Sequence, residues 1–279
     1  YLGRGIAFLM KKFRNDKFQG TAMYFIITPP FAFLVYITAA FSSAPLNLFL
    51  GAVLLKLQLS WRGLWDHANP VGVLLMSGDL RAARKAVVSL VGRDTTSLSE
   101  RHVASAAVES IGESSVDGIL APLFYYALFG LAFGLPYGIA AAAFYRATNT
   151  LDSMVGYKKK DLSNLGFFSA RMDDLLNYIP ARLGAGLLIA SSILLGENWR
   201  KAIAVYRRDK GNTLSPNSGH PIATVAGALG VQLEKIGYYR IGDNHEGLGI
   251  KHIYRAMRLV NLSTTIAAAL MALVLWGAS

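Results

Sequence analysis

The chain has 279 residues, of which 53% are hydrophobic and 16% charged, with no cysteine and a formal net charge of +11. A soluble globular domain carries about 25% charged residues, so this deficit favours a membrane protein. The missing cysteines exclude disulfides, thiolate metal ligands and cysteine nucleophiles. The basic residues flank apolar runs, which favours anionic lipids or anionic substrates over nucleic acid as partners.

The segment Tyr1–Gly20 is basic and amphipathic, with Lys11, Lys12 and Arg14 close to Phe8. This pattern predicts a helix that lies in the membrane interface.

Apolar segments then follow along the chain, and about 20 apolar residues are needed to cross the hydrocarbon core. The predicted spans are residues 21–41, 46–65, 119–134, 136–151 and 259–277. Residues 181–196 form a shorter, glycine-rich apolar run. The sequence therefore predicts an all-α, polytopic integral membrane protein, with one membrane-embedded domain over residues 1–279 and polar helical segments between its spans.

Loop charge predicts the orientation of these spans. The basic segments at residues 4–17, 62–101 and 158–182 belong in the cytoplasm by the positive-inside rule. Strict alternation would place the equally basic residues 197–258 outside, so we expect residues 181–196 to be re-entrant or to lie within the bundle. The polar segments should then meet on the cytoplasmic face of a multi-pass protein of the cell membrane.

A row of carboxylates, Glu109, Glu113 and Asp117, follows the spacing i, i+4, i+8, which puts all three on one helix face. Like charges at this spacing repel, and a bound cation such as Mg²⁺ would explain them. A solvated acidic face is the alternative. Asp117 stands at a membrane entry, where an unpaired carboxylate is costly, and this favours the metal site.

Two further polar rows border apolar helices. Asn149, Asp152 and Ser153 end one helix and are followed by Lys158, which either anchors the chain to lipid or binds phosphate. The other row contains Arg171, Asp173, Asp174 and Asn177. An ion pair between Arg171 and Asp174 that fixes the helix is its alternative interpretation, but it leaves Asp173 and Asn177 unexplained.

The stretch Ser215-Pro216-Asn217-Ser218-Gly219 is rich in turn formers. Its backbone N–H groups could bind a phosphate or carboxylate, although an ordinary turn is the simpler interpretation. The sequence contains no P-loop, no dinucleotide-binding fingerprint and no G-x-S-x-G elbow, so a nucleotide would need another pocket.

At these residues the chain resembles the CobD/CbiB family of cobalamin biosynthesis. The strongest stretch is Tyr145-Arg146-Ala147-Thr148-Asn149-Thr150-Leu151-Asp152-Ser153-Met154-Val155-Gly156-Tyr157-Lys158. Its companions, in the order of the family, are Gly92–Thr95, Ala107–Ser110 with Asp117-Gly118, Ala170–Asp174 with Asn177, Pro180–Arg182, Ser215–Gly219 and Ala226–Gly230. The family also has a hydrophobic segment before the stretch that matches Leu2, so we expect the span count here to be one short.

The resemblance implies an activity similar to that of adenosylcobinamide-phosphate synthase. Such an enzyme joins the carboxylate of adenosylcobyric acid to aminopropanol or its phosphate, and ATP drives the amide bond. The expected cofactors are ATP and Mg²⁺, with a corrinoid as substrate. The expected partners are the lipid membrane and either a second copy of the chain or other membrane enzymes late in the cobalamin pathway, with no nucleic acid.

On this hypothesis ATP phosphorylates the carboxylate and an amine attacks the acyl phosphate, with Asp152 taking the proton of the amine. The expected catalytic residues are Asn149, Asp152, Asp173, Asp174 and Asn177. The expected substrate- and phosphate-binding residues are Arg93, Lys158, Arg171, Arg182, Ser215, Asn217 and Ser218. The expected metal ligands are Glu109, Glu113 and Asp117, with Asp173 and Asp174 as alternatives.

Two other kinds of protein are compatible with the fold. One is a non-catalytic membrane sensor or scaffold, which need not retain buried charges. The other is a corrinoid-binding transporter, which would need polar residues in the middle of its spans. Consumption of ATP that depends on both adenosylcobyric acid and an aminopropanol donor would distinguish the synthase from both.

Overall fold

A computed structural model describes residues 2–41, 46–156 and 162–277. The protein is 76% helical, and its described strands form a single two-stranded sheet. Three helical runs are long and apolar enough to cross a membrane: Lys17–Ala40, Glu100–Phe133 and Ile250–Gly277. The prediction of an all-α polytopic membrane protein is confirmed.

The helices are α1 (Leu2–Met10), α2 (Lys17–Ala40), α3 (Leu46–Gln58), α4 (Trp61–Met76), α5 (Leu80–Val87), α6 (Glu100–Ser115), α7 (Ala121–Phe133), α8 (Leu135–Leu151), α9 (Phe167–Leu176), α10 (Tyr178–Leu194), α11 (Trp199–Asp209), α12 (Gly219–Leu229) and α13 (Ile250–Gly277). Two single π-helical segments are π1 (Val116–Leu120) and π2 (Asp152–Gly156), and the strands are β1 (Leu233–Lys235) and β2 (Tyr239–Ile241).

The chain divides into two compact units. Unit 1 comprises Tyr1–Leu59, Ala121–Asn177 and Leu270–Ser279, and unit 2 comprises Ser60–Leu120 and Tyr178–Ala269. Where the sequence predicts one domain, each of these units has a hydrophobic core of its own.

The helix boundaries differ from the predicted spans in one place above all. Residues 46–65, predicted as one span, are two helices, because α3 ends at Gln58 and α4 begins at Trp61. The backbone N–H of Ser60 donates to the carbonyl of Gly118 at 2.8 Å, so it does not continue the α3 ladder. Residues 119–134 belong to the longer helical run from Glu100, which π1 interrupts.

In unit 1, α8 packs against α2, α7 and α9. Tyr24 of α2 is hydrogen-bonded to Thr148 of α8 at 2.9 Å, and its ring meets Phe168 of α9 edge-on at 4.9 Å. A Cβ at Gly138 would lie 2.5 Å from the carbonyl of Tyr126, so glycine allows α7 and α8 to approach closely. This packing sets the last turn of α8 beside α9.

In unit 2, α12 is the central helix, since every residue from Gly219 to Leu229 is buried. It packs on α6, α10 and α11. The hairpin β1–β2 pairs Leu233 with Ile241, and β1 lies along α6. In α6, every residue from Val103 to Gly112 is buried, so the side chain of Glu109 lies within this unit.

Candidate functional site

In unit 1, the carboxylate of Asp173 accepts hydrogen bonds from two amides. The Nδ2 of Asn149 donates to its Oδ1 at 3.1 Å, and the Nδ2 of Asn177 donates to its Oδ2 at 2.9 Å. Asn149 is on the last turns of α8, whereas Asp173 and Asn177 are one turn apart on and just after α9. The packing of α8 on α9 therefore brings Asn149 to two residues that are 24 or more positions later in the chain.

A second layer holds the amide of Asn177. The hydroxyl of Tyr145 donates to its Oδ1 at 2.8 Å, and the Tyr145 ring stacks on Tyr125 at a centroid distance of 5.6 Å. The hydroxyl of Tyr125 donates to the carbonyl of Leu176 at 2.9 Å. Tyr145 and Asn177 are buried, so the orientation of the amide toward Asp173 is fixed by the core.

This environment raises the pKa of Asp173 to about 6, mainly because the carboxylate is desolvated and in part because Asp174 is close, while the bonds from Asn149 and Asn177 oppose the rise. A carboxylate with this pKa is largely ionised at neutral pH and still accepts a proton. Both hydrogen-bond donors are neutral amides, so they orient the carboxylate without adding a positive charge.

Asp152 begins π2, directly after α8. Single-turn π segments inside α-helices are frequent at functional sites, because the extra residue turns side chains to a different face. Asp117, of the predicted metal row, likewise lies in the other π segment, π1.

Two predicted cations follow the π2 segment in the chain. The guanidinium of Arg171 lies over the Phe167 ring, 5.6 Å from the ring centroid. Lys158 falls outside the described residues.

In unit 2, the carboxylate of Glu109 is buried and 5% exposed. The hydroxyl of Ser105 donates to its Oε1 at 2.8 Å, and the hydroxyl of Tyr239 donates to its Oε2 at 2.9 Å. The Nη2 of Arg93 lies 3.5 Å from Oε1. Across the described ranges, no hydrogen-bond partner reaches the buried Nε of Arg93.

The same network ties the hairpin to α6. The backbone N–H of Glu234 donates to the hydroxyl of Ser105 at 2.8 Å, and the Nε of Arg240 donates to the Glu234 carboxylate at 2.7 Å. Burial, followed by the negative charge of Glu109, raises the pKa of the Tyr239 hydroxyl, so Tyr239 remains a donor. No pattern in the sequence indicated Tyr239, because only the folded chain brings β2 to Glu109 of α6.

The predicted metal row is not assembled as a three-ligand site. Across residues 2–41, 46–156 and 162–277, no group of three or more histidines and carboxylates could hold a metal ion. Both oxygens of Glu109 already accept hydrogen bonds. Asp117 lies in π1, where the wider turn breaks the regular i, i+4 phase that the prediction assumed. A metal at Glu109, Glu113 and Asp117 stays a prediction.

The remaining predicted residues lie near the start of α12. The Nη1 of Arg182 is 3.4 Å from the Oδ1 of Asn217, and the N–H of Asn217 donates to the hydroxyl of Ser215 at 3.2 Å. Ser218 is the N-cap residue of α12, without a side-chain capping bond. His220, which no spacing pattern indicated, is buried beside Arg182 and Asn217.

Some of the predicted residues are in contact within each unit. Asn149, Asp173 and Asn177 are in contact in unit 1. In unit 2, Arg93 is beside Glu109, and Arg182 is beside Asn217. The convergence of all polar segments on one face stays a prediction.

Known proteins resemble this chain over nearly its whole length. The family model described as CobD/Cbib protein matches residues 1–260. A probable cobalamin biosynthesis protein CobD of Methanothermobacter thermautotrophicus is 38% identical over 272 residues, covering 96% of this chain and 88% of that protein. A protein of the same description from Methanocaldococcus jannaschii is 35% identical, over 99% of this chain and 90% of that protein.

The cobalamin biosynthesis protein CobD of Leptospira interrogans serovar copenhageni is also 35% identical, over 98% of this chain and 90% of that protein. No solved structure gives a significant match. A family model that spans most of the chain, together with relatives of this identity and coverage, shows that the chain belongs to the CobD/CbiB family.

Proposed function

We propose that this protein acts in cobalamin biosynthesis as an ATP-dependent amide synthase, joining adenosylcobyric acid to aminopropanol or aminopropanol phosphate. Its family membership and the names of its relatives support the cobalamin role. A single observation supports the chemistry. The carboxylate of Asp173 accepts hydrogen bonds from two side-chain amides, and its pKa is raised to about 6.

The reaction needs an activated carboxyl group, because a carboxylate does not react with amines at neutral pH. ATP transfers its terminal phosphoryl group to the carboxylate oxygen, giving an acyl phosphate and ADP. The amine nitrogen then attacks the acyl carbon, the C–N bond forms, and the C–O bond to phosphate breaks. The nitrogen loses one proton in this step, and a positioned base must receive it.

The hypothesis drawn from the sequence makes Asp152 the base that takes this proton. We assign this role to Asp173 instead. The amides of Asn149 and Asn177 each donate to a different oxygen of Asp173, so the carboxylate has a fixed orientation. Its raised pKa makes it a stronger base than an ordinary aspartate. Asp152 is one turn beyond Asn149 and is close enough along the chain to serve the same substrate.

Asp174, next to Asp173 in the chain, is the residue that fits a magnesium ion brought in with ATP, because both oxygens of Asp173 already accept hydrogen bonds. Such ions are usually held by one or two carboxylates together with the phosphates of the nucleotide, so three protein ligands are not required. The proximity of Asp174 contributes to the raised pKa of Asp173, and a cation would relieve this repulsion. When bound, Mg²⁺ would neutralise charge on the transferring phosphoryl group.

The use of ATP supports a site that faces the cytoplasm of the cell membrane, as the basic loops predict. Within this site we assign Arg171 to the anionic groups of the corrinoid or nucleotide, because it is a cation within a family motif. Lys158, in the strongest motif, is the further candidate for this role.

The test is a turnover assay with detergent-purified protein, ATP, adenosylcobyric acid and either amine. We expect ADP release that requires both organic substrates, together with formation of the amide by mass spectrometry. Asp173→Asn should abolish product formation. The exposed Asp66, paired with Arg62 at 3.5 Å, provides the matched control Asp66→Asn, which should retain activity.

Two results would contradict the proposal. Near-normal turnover in both Asp173→Asn and Asp152→Asn would remove these carboxylates from the chemistry. Corrinoid binding without any ATP consumption by the wild-type protein would instead favour a sensor, a scaffold or a transporter.

A further inference from the structure

A group of cations and polar side chains surrounds the start of α12 in unit 2, outside the Asp173 site. We name it the Arg182 cluster, and it consists of Arg182, Tyr206, Lys210, Asn217 and His220. These residues come from α10, from the end of α11 and from the first turn of α12. Only their position in the fold brings them together.

The guanidinium of Arg182 is held in a fixed place. Its Nη1 donates to the carbonyl of Tyr178 at 2.5 Å and is 3.4 Å from the Oδ1 of Asn217. The guanidinium also lies 3.5 Å above the ring centroid of Tyr178. A cation that is positioned in this way loses less conformational entropy when it binds a ligand.

The second cation, Lys210, lies over the Tyr206 ring, with Nζ 4.9 Å from the centroid. Across the described part of the chain, no carboxylate forms an ion pair with either Arg182 or Lys210. The neighbouring acid Asp209 is instead bound by Arg208 and by the N–H of Gly242. The cluster therefore carries positive charge that the described residues do not neutralise.

The pKa of the buried imidazole of His220 responds to this positive charge. The residue is 4% exposed, and its Nδ1 is 3.1 Å from the hydroxyl of Tyr206. Burial, then the charges of Arg182 and Lys210, lower the pKa of His220 to about 4. The ring is therefore neutral at physiological pH.

The backbone packs closely at the same place. Ser218 is the N-cap residue of α12 without a side-chain capping bond, and the N–H of His220 donates to the carbonyl of Asn217 at 3.1 Å. A Cβ at Gly219 would lie 2.1 Å from the carbonyl of Lys210, so glycine lets the loop close against the end of α11. This packing keeps Lys210 near the start of α12, and such cations provide charge-assisted hydrogen bonds to anions.

We infer that the Arg182 cluster is a binding site for a phosphate group, with Arg182 and Lys210 as its charge partners and His220 as a neutral hydrogen-bonding group. The two substrates that could carry this phosphate, ATP and aminopropanol phosphate, are taken from the proposed function. The phosphate chemistry itself rests on the cluster alone, since two cations that no carboxylate of the described residues pairs with match a multiply charged anion.

The test is isothermal titration of the detergent-purified full chain with four probes: inorganic phosphate, a non-hydrolysable ATP analogue, aminopropanol phosphate and aminopropanol. We expect Arg182→Gln and Lys210→Gln each to weaken binding of at least one phosphate-bearing probe by roughly tenfold. Binding of aminopropanol should not change. The phosphate-bearing probe that loses affinity identifies the source of the phosphate.

Matched controls are cations that also lie over aromatic rings but outside the cluster. They are Arg200, 4.9 Å from the Trp199 centroid, and Lys235, 5.2 Å from that of Tyr238. Arg200→Gln and Lys235→Gln should bind every probe like the wild type. Arg182→Lys keeps the charge and should recover part of the affinity, which separates a charge effect from misfolding.

Unchanged affinity for all phosphate-bearing probes in both Arg182→Gln and Lys210→Gln would overturn the inference. So would an equal loss for aminopropanol, which has no phosphate. Because the readout is binding, the inference stands if phosphate probes lose affinity while amide synthesis is never observed, and that outcome would count against the proposed function alone.

Discussion

Each of the two units contains a carboxylate that accepts hydrogen bonds from two neutral groups, but the carboxylate of unit 2 also lies beside a guanidinium. In unit 1, Asp173 accepts from the neutral amides of Asn149 and Asn177, and its pKa rises to about 6. In unit 2, Glu109 accepts from two hydroxyls and also lies 3.5 Å from the guanidinium of Arg93. The local partners therefore decide whether such a group is reactive or structural.

The two carboxylates differ because their negative charges have different neighbours. Neutral donors orient a carboxylate but leave its charge uncompensated, so proton uptake remains favourable. A neighbouring cation stabilises the ionised carboxylate, and removing either partner then leaves a buried charge without its counter-charge. We therefore expect Asp173 variants to fail in turnover and Glu109 variants to fail in stability.

The largest expected effect is on turnover in unit 1. Asp173→Asn should lower the rate of amide formation by about 10²–10⁴-fold, the usual contribution of a positioned base. Its thermal midpoint should fall by only a few degrees, roughly the effect of one hydrogen bond, because Asn keeps the shape of the side chain but can accept only one of the two bonds. Rate and midpoint measured on one preparation would test this, and a large fall in the midpoint with little change in rate would reverse the assignment.

The next effect is on stability in unit 2. Glu109→Gln leaves the partly buried Arg93 without its counter-charge, at a cost of about 2 kcal/mol. This should lower the thermal midpoint by roughly 5 °C for a unit of this size. The double variant with Arg93→Met should regain part of the loss, and strictly additive losses would show that the two residues are not coupled.

A smaller effect should come from the second layer of unit 1. Tyr145→Phe removes the hydroxyl that donates to the Oδ1 of Asn177 at 2.8 Å. One hydrogen bond is worth about 1 kcal/mol, so turnover should fall roughly tenfold or less while substrate affinity is unchanged. Tyr137→Phe, in a partly exposed tyrosine near Tyr36, is the control and should leave the rate as it is.

The smallest effect concerns pH. Because the folded pKa of Asp173 lies above its unfolded value, the folded state binds more protons between about pH 4 and pH 6. The contribution of Asp173 to stability is therefore greatest below pH 4 and is lost as the pH rises through about 6.

Unfolding free energies at pH 4.5 and pH 7.5 measure this loss. In Asp173→Asn the pH-dependent difference should shrink, while turnover of the wild type should rise through about pH 6 as the base ionises. An identical pH dependence of unfolding in both proteins would exclude Asp173 as its origin.

Much of the fold follows from local pattern. Apolar runs of sufficient length predicted the helices at residues 21–41, 136–151 and 259–277, which lie within or closely match α2, α8 and α13. The break in residues 46–65 could not be predicted, because the bond from Ser60 to Gly118 depends on a distant partner. Both π segments were also missed, since hydrophobic periodicity does not register one extra residue in a turn.

The sequence by itself determined the membrane character, the helical class and the polar motifs, because hydrophobic length and residue type are local properties. It also indicated Asn149, Asp173 and Asn177 as members of one site. The tertiary structure decided what each charge does. Only packing shows that Asp173 has neutral partners, that Glu109 meets Tyr239, and that Arg182 and Lys210 face His220, since desolvation and charge pairing depend on neighbours remote in the chain.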